Sequence, residues 1–148
     1  MKALVVGLGS MGNKRMRILR EMGIATIGTD VRADRREQAH RVFGVTAYPT
    51  FEEAVAQKPD LILVCTWPHD HLRYIRFALE HEIHVFSEDT CMDDLAELEA
   101  VAALSKSKPQ IVTAPSCSMR FHSCVQTVKN LIDSGRLGPR KNSFATYH

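Results

Sequence analysis

Residues 1–30, MKALVVGLGSMGNKRMRILREMGIATIGTD, contain the pattern that decides the fold. Ala3–Val6 is a continuous apolar run, typical of a strand that is covered on both faces. Met11–Met22 carries apolar residues near helical spacing and is followed by Gly23, a helix stop signal. Ile24–Thr29 is a second apolar run. The segment is therefore predicted to form a strand, a helix and a second strand.

The alternation continues along the rest of the chain. Thr50 and Glu53 have the spacing of a capping box at the start of one helix. The further predicted helices are Ala33–Phe43, Thr50–Gln57, His69–His81, Asp93–Ser105 and Phe121–Asp133. The further predicted strands are Val45–Ala47, Leu61–Cys65, Ile83–Phe86, Ile111–Ala114 and Ser143–His148. This order predicts an α/β fold, a doubly wound parallel sheet with strand order 3-2-1-4-5-6, in a single domain over residues 1–148.

A glycine-rich turn joins the first predicted strand to the first helix. It reads Gly7-Leu8-Gly9-Ser10-Met11-Gly12, the G-x-G-x-x-G fingerprint of a Rossmann fold in the strand–turn–helix context that the fingerprint needs. The three glycines allow the tight turn, the approach of a pyrophosphate and the packing of helix on strand. The helix N-terminus then offers N–H groups to phosphate. We therefore expect residues 7–12 to bind a dinucleotide; the alternative is a glycine turn that binds nothing.

Acidic and basic residues follow the second predicted strand. Asp30 ends that strand, where a carboxylate can accept from ribose hydroxyls, the NAD arrangement. Arg32, Arg35 and Arg36 could balance a 2′-phosphate and so permit NADP, or could form a solvated helix face. Because Asp30 would repel a phosphate, NAD is the expected cofactor, and a solvated helix face is the preferred interpretation of the three arginines. Arg32 is in addition expected to lie beside the cofactor. Cys65 and Thr66 end the central strand, where cofactor contact through the main chain is expected.

Three separated segments resemble the N-terminal domain of the Gfo/Idh/MocA oxidoreductases. They are KALVVGLGSMGNKRMRILREMG (2–23), LILVCTWPHDHLRYIRFALEHEIHVFSED (61–89) and PSCSMRFHSCVQTVKNLIDSGRLGP (115–139). The resemblance implies an NAD(P)-dependent oxidoreductase acting on sugars or sugar nucleotides. His71 and Glu88 match family positions near the cofactor, and His71 is otherwise a helix-start residue near solvent. Arg120 also matches a family position, where it contacts cofactor or substrate or pairs with Glu88.

The stretch FSEDTCM (86–92) departs from the family's loop, which reads Glu-Lys-Pro. Glu88 matches the Glu, but Asp89 stands at the Lys position and Thr90 at the Pro position. A cation there favours a developing alkoxide, whereas a carboxylate repels it. The family's C-terminal substrate domain is also expected to be absent. No catalytic residue is therefore assigned, and the chain alone is predicted not to transfer hydride; the alternative is a non-catalytic NAD-binding or protein-interaction module.

Composition excludes several classes of function. The net charge of +2 is too small to favour nucleic acid or an anionic membrane, and no apolar run reaches the ~20 residues of a membrane span. The four cysteines show no zinc spacing, and His69 and His71 would face different ways on a helix, so no metal site is predicted. Reduced thiols favour a cytoplasmic protein.

The sequence also predicts a homo-oligomer. The reasons are a cleft face that would be left uncovered and an open sheet edge at Phe144–Tyr147.

Overall fold

The computed structural model describes residues 1–89 and 94–138, which belong to two compact units. The first unit is Met1–Ser116 and the second is Cys117–His148. All six strands that the structure describes lie in the first unit.

The first unit alternates strands and helices in the predicted order. The strands are β1 (Lys2–Val6), β2 (Ala25–Thr29), β3 (Thr46–Tyr48), β4 (Leu61–Val64), β5 (His84–Ser87) and β6 (Thr113–Pro115). The helices are α1 (Ser10–Glu21), α2 (Ala33–Phe43), α3 (Phe51–Val55), α4 (His71–Glu80) and α5 (Leu95–Ser107). The strands form one parallel sheet in the order β3-β2-β1-β4-β5-β6, which confirms the predicted fold class and strand order.

Apolar side chains cover both faces of this sheet. Alternate residues of a strand point to opposite faces. In β1, Leu4 and Val6 join one core cluster with residues of α3, α4 and α5, whereas Ala3 and Val5 join a second with residues of α1 and α2. All four are at most 2% exposed. The continuous apolar sequence of β1 thus follows from its position at the centre of a sheet with helices on both sides.

The second unit is short and its described side chains are mostly exposed. It contains a 3₁₀ turn (Ser118–Phe121) and a helix, α6 (Ser123–Asp133). Phe121 is 78% exposed and Val128 is 53% exposed. This unit therefore presents apolar side chains that its own residues do not cover.

The differences from the sequence prediction lie at element ends. Pro68 opens a 3₁₀ turn (Pro68–Asp70), so α4 begins at His71 and not at His69. Helix α5 begins at Leu95 because Asp94 is its N-cap, its Oδ1 accepting from the Ala96 N–H at 3.0 Å. The predicted strand Ser143–His148 lies outside the described residues, and the extent of one domain over 1–148 stays a prediction. Within the described part of the chain, no helix is long and apolar enough to cross a membrane.

Candidate cofactor-binding site

One residue from each strand lines up at the carboxyl edge of the sheet. Each is the residue directly after the last paired position of its strand. Across the sheet from β3 to β6, this edge row consists of Pro49, Asp30, Gly7, Cys65, Glu88 and Ser116. Four of these six were predicted from the sequence to bind a cofactor. Parallel strands bring them to one edge, which is where ligands bind in open α/β sheets.

The glycines of the turn are required by close contacts. Gly7 has φ +89°, and a Cβ there would lie 2.8 Å from the Cys65 carbonyl oxygen. A Cβ on Gly12 would lie 2.0 Å from the Gly7 carbonyl oxygen, so α1 can pack at this distance only with glycine. A Cβ on Gly9 would meet only the Arg35 guanidinium, at 3.6 Å. Gly7 and Gly12 therefore serve the fold of the turn, whereas Gly9 leaves space open above it.

Asp30 is tied to the glycine turn. Its Oδ2 accepts from the Leu8 N–H at 2.8 Å, and its Oδ1 accepts from the Arg32 N–H at 2.9 Å. Asp30 is only 7% exposed. Two carboxylate oxygens offer about four acceptor sites, so among the described residues Oδ1 retains capacity for a hydroxyl donor. The structure thus places the acid that was predicted to bind ribose directly against the turn that was predicted to bind pyrophosphate.

Two of the three arginines after β2, Arg35 and Arg36, are partly buried with partners at the strand end, and the interpretation as a solvated helix face is corrected for these two. Arg35 Nη1 pairs with Asp30 Oδ2 at 3.2 Å, and Arg36 Nη1 donates to the Asp30 and Val31 carbonyl oxygens at 2.7 and 2.9 Å. The Arg32 side chain is 58% exposed, against 38% for Arg35, and it pairs with Asp34. That pairing holds the pKa of Asp34 below its ordinary value, chiefly through the hydrogen bond. The buried end of β2 attracts Arg35 and Arg36 because its carboxylate and carbonyls need donors.

A groove of about 1080 Å³ opens along this edge. Its wall includes Phe51, Tyr74 and Phe77, an aromatic cluster with ring centroids 4.8 and 4.9 Å from Phe51. Trp67, 74% exposed, lies at the same groove. The predicted site residues that line it are Gly7, Gly9, Ser10, Met11, Asp30, Arg32, Cys65 and Thr66. The other predicted site residues, Leu8, Gly12, His71 and Glu88, are not among the lining residues.

His71 is a buried residue, so the alternative of a histidine near solvent is wrong. It is 1% exposed, and its Nε2 lies 3.1 Å from the Thr66 carbonyl oxygen. A carbonyl only accepts, so Nε2 carries the proton and donates, and Nδ1 has no partner among the described residues. Any effect of His71 on a cofactor would act through Thr66, which lines the groove.

Glu88 pairs with Arg15, a residue that the sequence analysis did not identify. Arg15 Nε lies 2.5 Å from Glu88 Oε1, and both side chains are mostly buried, at 18% and 13% exposed. Spacing indicates that Arg15 faces the sheet, because it follows the sheet-facing Gly12 by three residues, but spacing does not identify Glu88 as its partner. Arg120 lies in the second unit, so its predicted contacts with cofactor, substrate or Glu88 stay predictions.

Cys65 is a partly buried thiol whose pKa is unfavourable for a nucleophile. Burial, together with the charge of Glu88, raises the pKa of Cys65 to about 12, against a smaller opposing effect of Arg15. The thiolate, which is the reactive form, is therefore scarce at neutral pH. No three His, Cys, Asp or Glu side chains within the described residues 1–89 and 94–138 are arranged to hold a metal ion. Thr90 and Cys91 lie outside those residues.

These observations fit the binding of a dinucleotide. The turn has no room for a Cβ at Gly7 or Gly12 but leaves space above Gly9, and a helix N-terminus follows at Ser10. The buried acid Asp30 is hydrogen-bonded to the same turn. Residues 1–115 match the family described as "Oxidoreductase family, NAD-binding Rossmann fold", Gfo/Idh/MocA. The chain belongs to the Gfo/Idh/MocA oxidoreductase family. The family description accordingly makes this an NAD-binding Rossmann domain.

Several Gfo/Idh/MocA relatives are similar to this chain. The uncharacterized oxidoreductase YhhX of Escherichia coli is 40% identical over 88 residues, which are 58% of this chain and 25% of YhhX. The myo-inositol 2-dehydrogenase of Thermotoga maritima is 25% identical over 142 residues, 93% of this chain and 42% of that enzyme. The chain therefore spans less than half the length of these curated relatives.

The fold also matches solved structures of the family. The scyllo-inositol dehydrogenase of Lactobacillus casei, solved with bound NAD(H) and scyllo-inositol, superposes with a TM-score of 0.85 at 23% identity. The match covers 93% of this chain and 42% of that one. At this identity the likeness establishes the fold.

Proposed function

We propose that this chain is the NAD-binding part of an oxidoreductase that moves a hydride between NAD and a hydroxyl-bearing carbon of a sugar, polyol or sugar nucleotide. The observation that carries the proposal is the hydrogen bond between the Leu8 N–H and the Asp30 carboxylate, which brings the glycine turn and the acid into one site. The polyol substrate class is supported by the inositol dehydrogenases among its relatives.

The chain's own residues would each do a defined part of the binding. The N-terminus of α1 at Ser10 would hold the pyrophosphate, and Asp30 would accept from the adenosine ribose. Cys65 and Thr66, at the end of β4, would contact the other half of the dinucleotide. NAD, when bound, supplies the nicotinamide carbon that gives or takes the hydride.

We further propose that residues 1–148 alone do not carry out the reaction. Asp89 follows Glu88 at the carboxyl edge, at the position where the family loop has a lysine, so the chain has an acid in place of the cation that would favour a developing alkoxide. Positioning of the substrate is worth roughly 7 kcal/mol or more of the barrier, and a chain of less than half the length of its relatives supplies fewer substrate contacts.

A second candidate is a non-catalytic NAD-binding or protein-interaction module. It is favoured by Asp89 and by the exposed apolar side chains of the second unit, Phe121 and Val128. A homo-oligomer, a cytoplasmic location and a role in carbohydrate biosynthesis also belong to the proposal. NADP stays an alternative cofactor because Arg35 already balances the charge of Asp30.

The test is a turnover assay that follows NADH absorbance with myo-inositol, scyllo-inositol, simple sugars and UDP-sugars. Wild-type chain and Asp89→Lys are compared, with Asp94→Asn as a control at an exposed carboxylate near the same loop. We expect no turnover by the wild type. Turnover by the wild type would contradict inactivity of the isolated chain, and turnover by Asp89→Lys alone would show that the missing cation is the limiting loss.

A further inference from the structure

The half of the edge row beyond β4 contains a contact network that the binding of pyrophosphate and adenosine does not use. Arg15, on α1, reaches over the ends of β5 and β6. Its Nε donates to Glu88 Oε1 at 2.5 Å, and its Nη2 donates to Ser116 Oγ at 3.0 Å. Its guanidinium carbon lies 4.8 Å from the centroid of the Phe86 ring. One side chain thus joins α1 to the residues that directly follow β5 and β6.

The Glu88 side chain is held on two sides. Its backbone N–H donates to the Val64 carbonyl oxygen at 2.9 Å, which continues the pairing of β5 with β4. Its carboxylate is fixed by Arg15, and both side chains are mostly removed from water. Removing one partner of such a pair leaves the other as an uncompensated charge, which then moves to find water or another partner. The place of Glu88 therefore depends on Arg15.

The pair lies on the side of the site opposite to Asp30. In the edge row, Asp30 is on one side of Gly7, and Cys65 and Glu88 are on the other. A dinucleotide lies across this switch point with its pyrophosphate at the glycine turn. If Asp30 takes the adenosine ribose, the second nucleoside must extend over the ends of β4 and β5. Cys65 lines the groove there, and the charges of Glu88 and Arg15 both influence the pKa of its thiol.

We infer that Arg15 is a positioning residue for the nicotinamide riboside half of the dinucleotide, acting through the Glu88 carboxylate. The inference rests on the proposed function and deepens it, because it assigns the second half of the site to a named ion pair. Arg15 belongs to the same helix whose N-terminus would receive the pyrophosphate, so α1 would fix both the phosphates and the Glu88 carboxylate at the end of β5.

The experiment measures affinity for two probes, NADH and ADP, because ADP lacks the nicotinamide riboside. Arg15→Met should weaken NADH about tenfold, the loss that goes with one misplaced charge-assisted hydrogen bond, and ADP less than about twofold. Arg15→Lys keeps a cation beside Glu88 and should recover most of the NADH affinity. Arg17→Met, at an exposed arginine of the same helix, is the matched control and should leave both affinities unchanged.

Each outcome decides one claim. Equal losses of NADH and ADP, or an unchanged NADH affinity in Arg15→Met, would overturn the positioning role. If Arg15→Met fails to fold, the double variant Arg15→Met/Glu88→Gln removes both charges and must show the same selective loss of NADH. Wild-type protein that binds neither probe would overturn the proposed function itself, which separates that failure from a failure of this inference.

Discussion

The Leu8 backbone N–H donates to Asp30 Oδ2 at 2.8 Å, a contact between residues 22 positions apart in the chain. It joins the first βα turn to the end of the second strand, the two elements from which an NAD site is built. The contact is buried, and the residue whose carboxylate orders the turn also lines the groove. Stability and cofactor preference are therefore linked at Asp30.

Asp30→Ala should lower the affinity for NAD about tenfold and the affinity for NADP less, because the lost carboxylate would accept from ribose but repel a 2′-phosphate. It should also reduce the free energy of unfolding by about 1–3 kcal/mol, since the Leu8 and Arg32 N–H groups lose their acceptor. Calorimetry with both cofactors and denaturant unfolding measure the two effects. Asp34→Ala, at an exposed acid in the first turn of α2, is the control, and equal losses for NAD and NADP would contradict the role of Asp30.

Gly12→Ala should destabilise the protein by roughly 3 kcal/mol, because its Cβ would lie 2.0 Å from the Gly7 carbonyl oxygen and α1 would have to move away from the sheet. Urea unfolding measures the loss. Gly9→Ala is the matched control, since its Cβ would meet only the flexible Arg35 side chain at 3.6 Å. A Gly12→Ala protein as stable as Gly9→Ala would show that the turn is not closed as described.

Cys65 should resist thiol reagents at pH 8, whereas Cys117 and Cys124 should react quickly because both are exposed. The reason is the raised pKa of Cys65, about 12 against an ordinary 9.0. The unfolded chain releases this proton near pH 9 and the folded chain does not, so the contribution to stability is complete below pH 9 and is lost as the pH rises towards 12. Peptide mapping after brief alkylation, and unfolding from pH 8 to 11 with Cys65→Ala for comparison, test this. Fast labelling of Cys65, or the same alkaline loss in Cys65→Ala, would contradict it.

The second unit should take part in self-association. Val128, on α6, is 53% exposed, and exposed apolar groups of this kind commonly mark interfaces. Light scattering should give a mass above that of a 16.6 kDa chain, and Val128→Asp should shift it towards the monomer. Lys129→Asp, at the neighbouring exposed position, is the control. A wild-type monomer at high concentration would count against the oligomer.

Local patterns of the sequence predicted the sheet and the cofactor turn because those features are local. The apolar run Ala3–Val6, the glycines at 7, 9 and 12, and the acid at 30 each follow from the needs of one strand, one turn or one strand end. The capping box is local as well: Thr50 Oγ1 accepts from the Glu53 N–H at 3.3 Å, as its spacing predicts.

Contacts that depend on the tertiary structure could not be predicted in this way. Arg15 meets Glu88 across 73 residues, and only the register of β1, β4 and β5 brings α1 to that strand end. For His71 the sequence leaves open a place near the cofactor or a helix start near solvent, and only the structure shows its ring buried against the Thr66 carbonyl. Arg35 is predicted from the sequence to be solvated, whereas in the structure it pairs with Asp30, the buried acid at the end of β2.

The central claim is that this chain binds NAD at the glycine turn, and calorimetric titration of NAD into the wild type and Gly9→Val tests it most directly. A Cβ at Gly9 disturbs only the Arg35 side chain, so Gly9→Val should fold with nearly wild-type stability and yet fill the space that a pyrophosphate needs. We expect saturable binding of one NAD per wild-type chain and a loss of at least about a hundredfold in Gly9→Val, the cost of roughly 3 kcal/mol from a blocked phosphate contact. Absence of binding by the folded wild type, or equal affinity in Gly9→Val, would contradict the account.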